Sequence, residues 1–423
     1  MNYTEALNYI HSLDRFGSRP GLDRVQRLFD HVPGILNQHF IHIAGTNGKG
    51  SVSSMLSAIL EEAGYKVGLF ISPYIVDFRE RIQINNKMIS QDELSEAVEY
   101  FKPIMDDLRD DGVIITEFEL LTAIGFWIFC RNNCDIVVCE VGMGGLLDST
   151  NLIPSPLCSV ITRIALDHTE ILGDTLQKIA AQKCGIIKRG CVTATSSQDD
   201  PAMAVIRDTA EAMENPLYLA DNIVLHDIRS DLSGTDFFYR DTPMRLSLIG
   251  KHQIENLRCV LAVTEALNEV HHIGITLSAI REGLGKVRHP ARFERLREHP
   301  SVILDGAHNP NGLAAFAAAV RDYAPNGDRT LIIGMLADKD SSGLSALKGL
   351  FTRVIATNIS NPRALSAEML SERLRGICDY IEVAARPQDA FDTALQYGGD
   401  VYICGSLYLA SEIRPYIVEG QRI

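Results

Sequence analysis

Basic clusters, paired cysteine motifs and long apolar runs are all missing from this chain of 423 residues. The formal net charge is −14 and no segment is rich in lysine or arginine, which argues against non-specific binding to nucleic acid or to an anionic membrane surface. The nine cysteines are scattered without two matching Cys-x-x-Cys pairs, so a structural zinc site is not expected. Thiols in mostly apolar surroundings are typical of a reducing compartment.

Neither the amino-terminal segment nor the most apolar segment predicts a membrane attachment. Residues 1–10 contain no basic region and no apolar core, so no signal peptide is predicted. The longest apolar run, residues 120–130, is too short to span a bilayer. We therefore predict a cytoplasmic protein. The apolar fraction of 46% is that of an ordinary globular protein, and the length predicts two or three domains.

What the chain does contain is a strand, a glycine-rich turn and a helix in immediate succession. Residues 40–44 are apolar and predict a buried strand, and residues 45–51 are Gly-Thr-Asn-Gly-Lys-Gly-Ser. Glycines let backbone N–H groups surround phosphate oxygens at a helix N-terminus, Lys49 can reach the terminal phosphates, and a hydroxyl can take Mg²⁺. The pattern is unusual because Gly50 separates Lys49 from Ser51. A plain glycine turn is the alternative to a nucleoside triphosphate site.

Polar residues follow three further apolar strands. Ser72, Glu140 and His168 come at or just after strand ends, where ligands gather in an open parallel sheet. A carboxylate beside a phosphate loop is a usual ligand of Mg²⁺ or water, although Glu140 and His168 could instead have structural partners. From the residues alone, Lys183 near the end of a helix over residues 175–184 is interpreted as a surface or dipole-complementing lysine.

The alternation of strands and helices predicts an α/β protein. Residues 1–287 are expected to form an ATP-binding P-loop domain with a doubly wound, mainly parallel sheet, and residues 288–423 a smaller Rossmann-like α/β domain. Asp305 and His308 end a strand of the second domain, where ligands bind. An Asx-turn that caps the next helix through Asn309 is the alternative.

Three segments leave their roles open at this point. Residues 15–21 form a polar turn with two arginines, either a solvated loop or a loop that faces a substrate. Residues 221–248 alternate in a manner that predicts an antiparallel hairpin layer without chemistry. The polar residues that open the helix over residues 250–270 could contact a ligand or cap the helix.

With these residues in view, the chain resembles the Mur-ligase superfamily and, within it, the folylpolyglutamate synthase/dihydrofolate synthase family of the bacterial bifunctional type. The phosphate loop with its extra glycine is the feature of the superfamily, and the stretches around Glu140 and Asp305 are those of the folate branch. The stretches that carry the resemblance are residues 44–51, 71–73, 80–82, 116–119, 140–151, 166–173, 182–187 and 305–310, with His252, Gln253, Asn256, Arg292 and Phe293.

The resemblance implies an ATP-dependent acid–amino-acid ligase of folate biosynthesis and one-carbon metabolism. It would join L-glutamate to dihydropteroate and to the glutamyl tail of reduced folates through an acyl phosphate. Such chemistry needs charge neutralisation and positioning above all. The resemblance further implies an active site between the two domains that domain closure completes.

The resemblance also assigns roles to individual residues. It implies catalytic roles for Lys49, Lys183 and His308. The implied nucleotide site consists of Thr46, Asn47, Gly48, Lys49, Gly50, Ser51, Asn256, Arg292 and Asp305. Two Mg²⁺ ions would be held by Ser51, Ser72, Glu140, His168 and a carbamylated Lys183, which replaces the surface-lysine interpretation. The pteroate or folate site would contain Arg19, Thr116, Phe118, Glu119 and Asp148.

Three positions depart from the family pattern. Tyr74 replaces a usual histidine, Leu146 a usual arginine and Cys184 a common alanine. None is a proposed metal or phosphate ligand, but Leu146 removes a potential contact with an anion.

The sequence bears on three alternative functions. An enzyme that only extends the folate tail stays open. A wall-synthesis ligase of the same superfamily is disfavoured, because about 40 residues before the phosphate loop are too few for its extra domain. A nucleotide-binding protein without catalysis is disfavoured by Glu140, His168 and Lys183, which binding alone does not need. We expect a monomer that binds small molecules and neither nucleic acid nor membrane.

Overall fold

The structure, a computed structural model, describes residues 1–13, 21–323 and 327–420. The chain divides into two compact units. Unit one comprises Met1–Tyr74, Phe78–Val224 and Glu255–Val287, and unit two comprises Ile75–Asp77, Leu225–Ile254 and Arg288–Ile423. The division into domains at residues 287 and 288 stays a prediction.

The helices follow the apolar periodicity of the sequence and are named in chain order. They are α1 (Tyr3–His11), α2 (Asp23–Phe29), α3 (Lys49–Glu62), α4 (Gln91–Asp110), α5 (Glu117–Arg131), α6 (Thr169–Leu172), α7 (Leu176–Cys184), α8 (Asp200–Ala212), α9 (Lys251–His271), α10 (Leu277–Lys286), α11 (Pro310–Tyr323), α12 (Ala367–Arg373), α13 (Pro387–Tyr397) and α14 (Leu407–Glu419).

The strands are short and mostly apolar. They are β1 (His39–Ala44), β2 (Val67–Phe70), β3 (Ile82–Ile84), β4 (Lys87–Met88), β5 (Ile136–Glu140), β6 (Cys158–Ile161), β7 (Val192–Thr195), β8 (Leu217–Leu219), β9 (His226–Asp231), β10 (Gly234–Tyr239), β11 (Thr242–Leu246), β12 (Glu294–Arg297), β13 (Val302–Leu304), β14 (Arg329–Ile333), β15 (Arg353–Thr357), β16 (Ile381–Ala384) and β17 (Asp400–Cys404).

Unit one is built on an eight-stranded sheet in the order β4-β3-β2-β5-β1-β6-β7-β8. The six strands from β2 to β8 pair in parallel, and β3 and β4 add an antiparallel edge. Strands β1, β2, β5 and β6 are almost wholly buried, as expected for parallel strands with both faces covered. The carboxyl ends of the parallel strands therefore meet along one edge of the sheet, where ligands bind in such folds.

Two helices of unit one begin with the side chains that their sequences predict. In α4, Ser90 caps the helix and Glu93 reaches back to the backbone of the cap. The same capping box opens α5 with Thr116 and Glu119. Helix α10 packs closely on α3 at Gly283, where a side chain would lie 2.7 Å from the backbone of Ile59.

Unit two contains two sheets. A three-stranded antiparallel sheet in the order β11-β10-β9 matches the hairpin layer predicted for residues 221–248. The larger sheet has the order β12-β13-β17-β14-β15-β16 and is parallel except for β12 at its edge. The predicted α/β class, with a large mainly parallel sheet and a smaller carboxyl-terminal sheet, is confirmed.

The structure differs from the sequence-based prediction at the edges of both large sheets. The sequence of residues 80–84 predicts a short extended segment, but a 3-10 helix covers Phe78–Arg81 and only Ile82–Ile84 form strand β3. Strands β12 and β16 carried no usable sequence signal, because both are half-exposed edge strands without apolar alternation. Within the described ranges, every helix is too short or too polar to cross a bilayer.

Candidate functional site

The conformation of the phosphate loop, residues 45–51, is fixed by its backbone and by one threonine. Gly45 and Gly48 have φ values of +158° and +89°, and the second lies in the left-handed region that favours glycine. Thr46 Oγ1 donates to the carbonyl of Ala165 at 3.0 Å and accepts from the Ala165 N–H at 3.1 Å. The backbone N–H groups of Thr46 and Asn47 donate to the carbonyl of Arg163. The loop is therefore anchored to the segment that follows β6.

Two lysine amines converge on one carbonyl of this loop. Lys49 Nζ lies 3.1 Å from Gly45 O, and Lys183 Nζ donates to the same oxygen at 2.8 Å. Lys183 is buried, and burial together with the charge of Lys49 lowers the pKa of its amine to about 7. The interpretation of Lys183 as a surface lysine, made from the residues alone, was wrong. Helix α7 instead ends beneath the phosphate loop and inserts this side chain.

Asn256 lies against the phosphate loop although it is far away in sequence. A methyl group built on Gly48 would overlap the Oδ1 atom of Asn256, so only glycine lets the amide approach the loop this closely. Ser51 is buried in the first turn of α3. The structure thus brings together all unit-one members of the predicted nucleotide site: Thr46, Asn47, Gly48, Lys49, Gly50, Ser51 and Asn256.

We expect Gly48→Ala to weaken ATP binding by at least about tenfold, because the new methyl group displaces Asn256 from the loop. Because alanine is strained in the left-handed conformation of residue 48, the substitution should also lower the free energy of unfolding by about 1–2 kcal/mol. Gly64→Ala is the matched control, since Gly64 has φ +94° at the other end of α3 and no atom within 4 Å of the added carbon.

Gly64→Ala should therefore show the stability loss without the loss of affinity, as measured by calorimetric titration with an ATP analogue and by thermal unfolding. Equal ATP affinities for both variants would contradict the close approach of Asn256.

The residues predicted to bind Mg²⁺ lie along the carboxyl edge of the sheet in unit one. Glu140, buried at the end of β5, accepts a hydrogen bond from the backbone N–H of Ser72 at 3.0 Å. His168 has φ +50° and an exposed side chain that precedes α6. Its Nε2 lies 4.0 Å from Asp167 Oδ1, so the loop presents a carboxylate and an imidazole together.

The predicted Mg²⁺ ligands differ in the donor atoms that they offer. Across residues 1–13, 21–323 and 327–420, no group of three or more His, Cys, Asp and Glu side chains is arranged to hold a metal. Only Glu140 and His168 among the predicted ligands belong to these types, and Ser51 and Ser72 contribute hydroxyls. Mg²⁺ favours oxygen ligands, and the neutral amine of Lys183 can combine with CO₂ to give a carbamate with two oxygens. The carboxylate of Glu140 and the hydroxyls of Ser51 and Ser72 are oxygen donors of the kind that suits Mg²⁺.

The predicted pteroate residues form two neighbouring groups in unit one. Phe118 and Asp148 both flank Gly142, where an added Cβ would lie 2.5 Å from the phenyl Cζ and 3.2 Å from the Asp148 Oδ2. Thr116 and Glu119 form the capping box of α5, and Glu119 also accepts a hydrogen bond from Arg24 at 2.8 Å. Their side chains thus have structural partners, and contact with a substrate stays a prediction. Arg19 lies outside the described residues.

In unit two, three predicted residues gather at the carboxyl end of β13. Asp305 is buried and accepts hydrogen bonds from the N–H groups of Phe293 and Ala307, both at 2.7 Å. Burial raises the pKa of Asp305, and the nearby Arg292 opposes that rise. His308 Nδ1 donates to the carbonyl of Gly306 at 2.8 Å, which fixes its tautomer and the orientation of its ring.

Several residues near these sites were missed or left without a role by the sequence. His252 and His289 face Arg292, and burial together with the charge of this arginine lowers the pKa of each imidazole, to about 4 and about 3 respectively. His42 is buried in β1 and contacts Thr150. For His42, the available signal was a histidine within the apolar residues 40–44.

Comparison with protein families gives two matches. The family model of the Mur ligase middle domain matches residues 117–264, and the model of the Mur ligase glutamate ligase domain matches residues 291–407. Together they cover more than half of the chain.

Individual proteins match over nearly the whole length. Dihydrofolate synthase/folylpolyglutamate synthase of Bacillus subtilis is 36% identical, covering 97% of this chain and 98% of that protein. Folylpolyglutamate synthase of Lacticaseibacillus casei is 35% identical, with 100% of both chains covered. A crystal structure of Mycobacterium tuberculosis folylpolyglutamate synthase complexed with ADP and AMPPCP is 30% identical, with a TM-score of 0.90 over 98% of this chain and 99% of that chain.

Proposed function

The chain belongs to the dihydrofolate synthase/folylpolyglutamate synthase family of Mur ligases, and we propose on this premise that it joins L-glutamate to 7,8-dihydropteroate and to the glutamyl tail of reduced folates. ATP is the phosphoryl donor. The observation that carries the proposal is the convergence of Lys49 and Lys183 on Gly45 O, with Glu140 ending a neighbouring strand. Nucleotide binding alone needs only the first of these groups.

The reaction has two steps. The γ-phosphoryl group of ATP passes to the acceptor carboxylate, and the resulting acyl phosphate is attacked by the amine of L-glutamate, which releases phosphate and forms the amide. Lys49 and the N–H groups of the phosphate loop balance the negative charge on the phosphates. Asn256 is the proposed contact of the nucleotide beside the phosphate loop, and Arg292 and Asp305 are its further proposed ligands. The ring of His308, oriented by Gly306 O, supports the acyl phosphate.

Mg²⁺ neutralises charge on the phosphate oxygens when it is bound. Its proposed protein ligands, for two ions in total, are Ser51, Ser72, Glu140, His168 and Lys183 as its carbamate. The buried amine of Lys183, with a pKa of about 7, supports the modification, because only a neutral amine reacts with CO₂.

The acceptor end of the proposed site contains Phe118 and Asp148, with Thr116 and Glu119 at the start of α5 and Arg19 from the early loop. Leu146 stands where the family commonly has arginine, and its side chain is exposed. We further propose two domains, residues 1–287 and 288–423, and a monomeric cytoplasmic enzyme.

A second candidate, extension of folate tails only, is favoured by the Lacticaseibacillus casei relative, whose name records that activity alone. The test is phosphate release with ATP, Mg²⁺ and L-glutamate, using 7,8-dihydropteroate or a reduced monoglutamyl folate as the acceptor, with mass spectrometry of the products. Reactions without glutamate are the control. We expect turnover with both acceptors. Turnover with the folate alone would establish the second candidate, and turnover with neither would refute the proposed ligase.

A further inference from the structure

A buried histidine in the central strand of unit one is not used by the proposed chemistry. His42 lies in β1 between β5 and β6 and has no exposed surface. Its Nε2 is 2.8 Å from Thr150 Oγ1, and its Nδ1 has no hydrogen-bond partner. Burying a polar ring costs free energy for each nitrogen that has no hydrogen bond, so the hydrogen bond of Nε2 offsets only part of the cost of His42.

The direction of this hydrogen bond follows from its second half. Thr150 Oγ1 lies 2.6 Å from Asp148 Oδ1, which also accepts the N–H of Thr150 at 3.0 Å. Asp148 Oδ2 accepts the N–H of Met143 at 2.9 Å. Burial raises the pKa of Asp148, but the hydrogen bonds donated by Thr150, Met143 and Gly142 oppose that rise and favour the carboxylate, which accepts on both oxygens. The Thr150 hydroxyl therefore donates its single proton to Asp148 and accepts one from His42 Nε2–H.

The charge state of the ring agrees with that direction. Burial, with a smaller effect of the charge on Lys188, lowers the pKa of His42 to about 3. The imidazole is neutral at physiological pH and carries one proton, which is on Nε2. Imidazole, hydroxyl and carboxylate thus form a directed chain in which each donor strengthens the next.

The chain ends on the turn that follows β5. Through its two oxygens, Asp148 ties the N–H groups of Gly142 and Met143 to the segment that begins at Thr150. The same turn begins directly after Glu140 and carries Gly142, on which Phe118 packs. A change in the orientation of Asp148 would therefore move the acceptor end of the site.

A second pair of hydroxyls fixes the neighbouring position. Thr122 Oγ1 donates to the carbonyl of Phe118 at 2.8 Å and lies 2.7 Å from Ser149 Oγ. The proton of Thr122 is committed, so Ser149 is the donor of the second bond. Residue 149 is thereby held against α5 without His42. The histidine chain is left to orient the carboxylate of Asp148.

We propose that His42 is a positioning residue for the folate or pteroate end of the site, acting through Thr150 on the carboxylate of Asp148. The inference rests on the proposed function, because it assumes that Asp148 lies at the acceptor site. Loss of the His42 donor should impair acceptor binding while the phosphate loop keeps its own anchors at Ala165 and Arg163.

The experiment uses His42→Leu, Thr150→Val and His42→Gln, with KM measured separately for acceptor and ATP. His42→Leu fills the space without a donor, and we expect it to raise the acceptor KM by about tenfold with the ATP KM within about twofold. Thr150→Val should act alike, and the double variant should be no worse than the stronger single variant, since both break one chain. His42→Gln, whose amide can place an N–H where Nε2 stood, should restore most of the affinity.

Each other outcome counts against the role of His42. An unchanged acceptor KM, equal rises in both KM values, additive losses in the double variant or no rescue by glutamine would overturn it. If His42→Leu does not fold, Thr150→Val carries the comparison, because valine keeps the shape of threonine. Absence of turnover by the wild type would remove the proposed function, and with it this inference. Wild-type turnover with unaffected variants would remove the inference alone.

Discussion

Replacing Lys49 by methionine should lower the rate of ATP-dependent ligation by about three orders of magnitude or more. The amine lies on the first turn of α3 and is 3.1 Å from Gly45 O and 3.4 Å from Thr46 O. From this position it can turn from the loop carbonyls to the β- and γ-phosphates. Phosphoryl transfer between two anions depends on such a cation, and methionine keeps the length of the side chain without its charge.

The same substitution should also change the pKa of the Lys183 amine. The charge of Lys49 is one of the two causes that lower the pKa of the Lys183 amine, the other being burial. In CO₂-free buffer, where Lys183 is the unmodified amine, its pKa in Lys49→Met should therefore rise above about 7, measurable by NMR titration of the lysine side-chain signals. A variant that lost activity without this rise would indicate that the two amines are not neighbours in solution.

Lys87→Met is the control for Lys49→Met, because Lys87 is an exposed lysine on edge strand β4. It should keep wild-type phosphate release and wild-type thermal stability. A rate for Lys49→Met within about tenfold of the wild type would contradict the role of Lys49 in charge neutralisation.

The phosphate loop could be predicted because its determinants are contiguous. A strand, three glycines and Lys49 follow one another within residues 40–51, and local chemistry alone decides their conformation. The meeting of Ser72 and Glu140 followed from a general property, since parallel strands end on one edge of a sheet. The sequence did not indicate that the contact runs through the backbone N–H of Ser72.

The environment of Lys183 could not be predicted from local sequence. Its hydrogen-bond acceptor, Gly45, is 138 residues away, and only the packing of α7 brings the two together. A helix-terminal lysine is most simply a surface residue, which is why the residues alone gave the wrong interpretation. The resemblance replaced that interpretation with a proposed role, and the structure shows that the side chain is buried.

His42 illustrates the same limit. Its position in an apolar strand was visible, but its partner Thr150 is 108 residues away. Whether a buried histidine is satisfied, charged or neutral depends on such distant groups. Edge strands β12 and β16 were missed for a related reason, because half-exposed strands are recognised by the neighbours that they pair with rather than by their own composition.

Replacing Lys183 by methionine should lower the rate of ligation by about three orders of magnitude and at the same time stabilise the protein. Carbamate formation requires the amine, and without it the proposed metal site loses two oxygens. ATP affinity should stay within a few-fold of the wild type, because the phosphate loop keeps Lys49 and its anchors. Phosphate release and calorimetric titration with ATP separate these two effects.

The gain in stability follows from the pKa of the buried amine. Its pKa is lowered from 10.5 to about 7, so between these values the unfolded chain holds a proton that the folded chain lacks. In CO₂-free buffer, where Lys183 is the unmodified amine, the stability of the wild type therefore rises with pH from about 7 to 10.5, and the cost of the buried amine is largest below pH 7. We expect Lys183→Met to raise the free energy of unfolding by about 2 kcal/mol at pH 7, after allowing for the lost hydrogen bond to Gly45, and by little near pH 10.

Lys178→Met is the matched control, since Lys178 is an exposed lysine on the same helix that pairs with Asp174. Its effect on stability should stay within about 0.5 kcal/mol at every pH, and ligation should continue. Carbon-13 bicarbonate should give a carbamate NMR signal in the wild type and in Lys178→Met but not in Lys183→Met. Active protein without that signal would remove carbamylation from the mechanism. A Lys183→Met variant less stable than the wild type at pH 6 would show instead that the folded protein stabilises the charged amine. The expected gain in stability would mean that the buried amine costs the fold stability and is retained for catalysis.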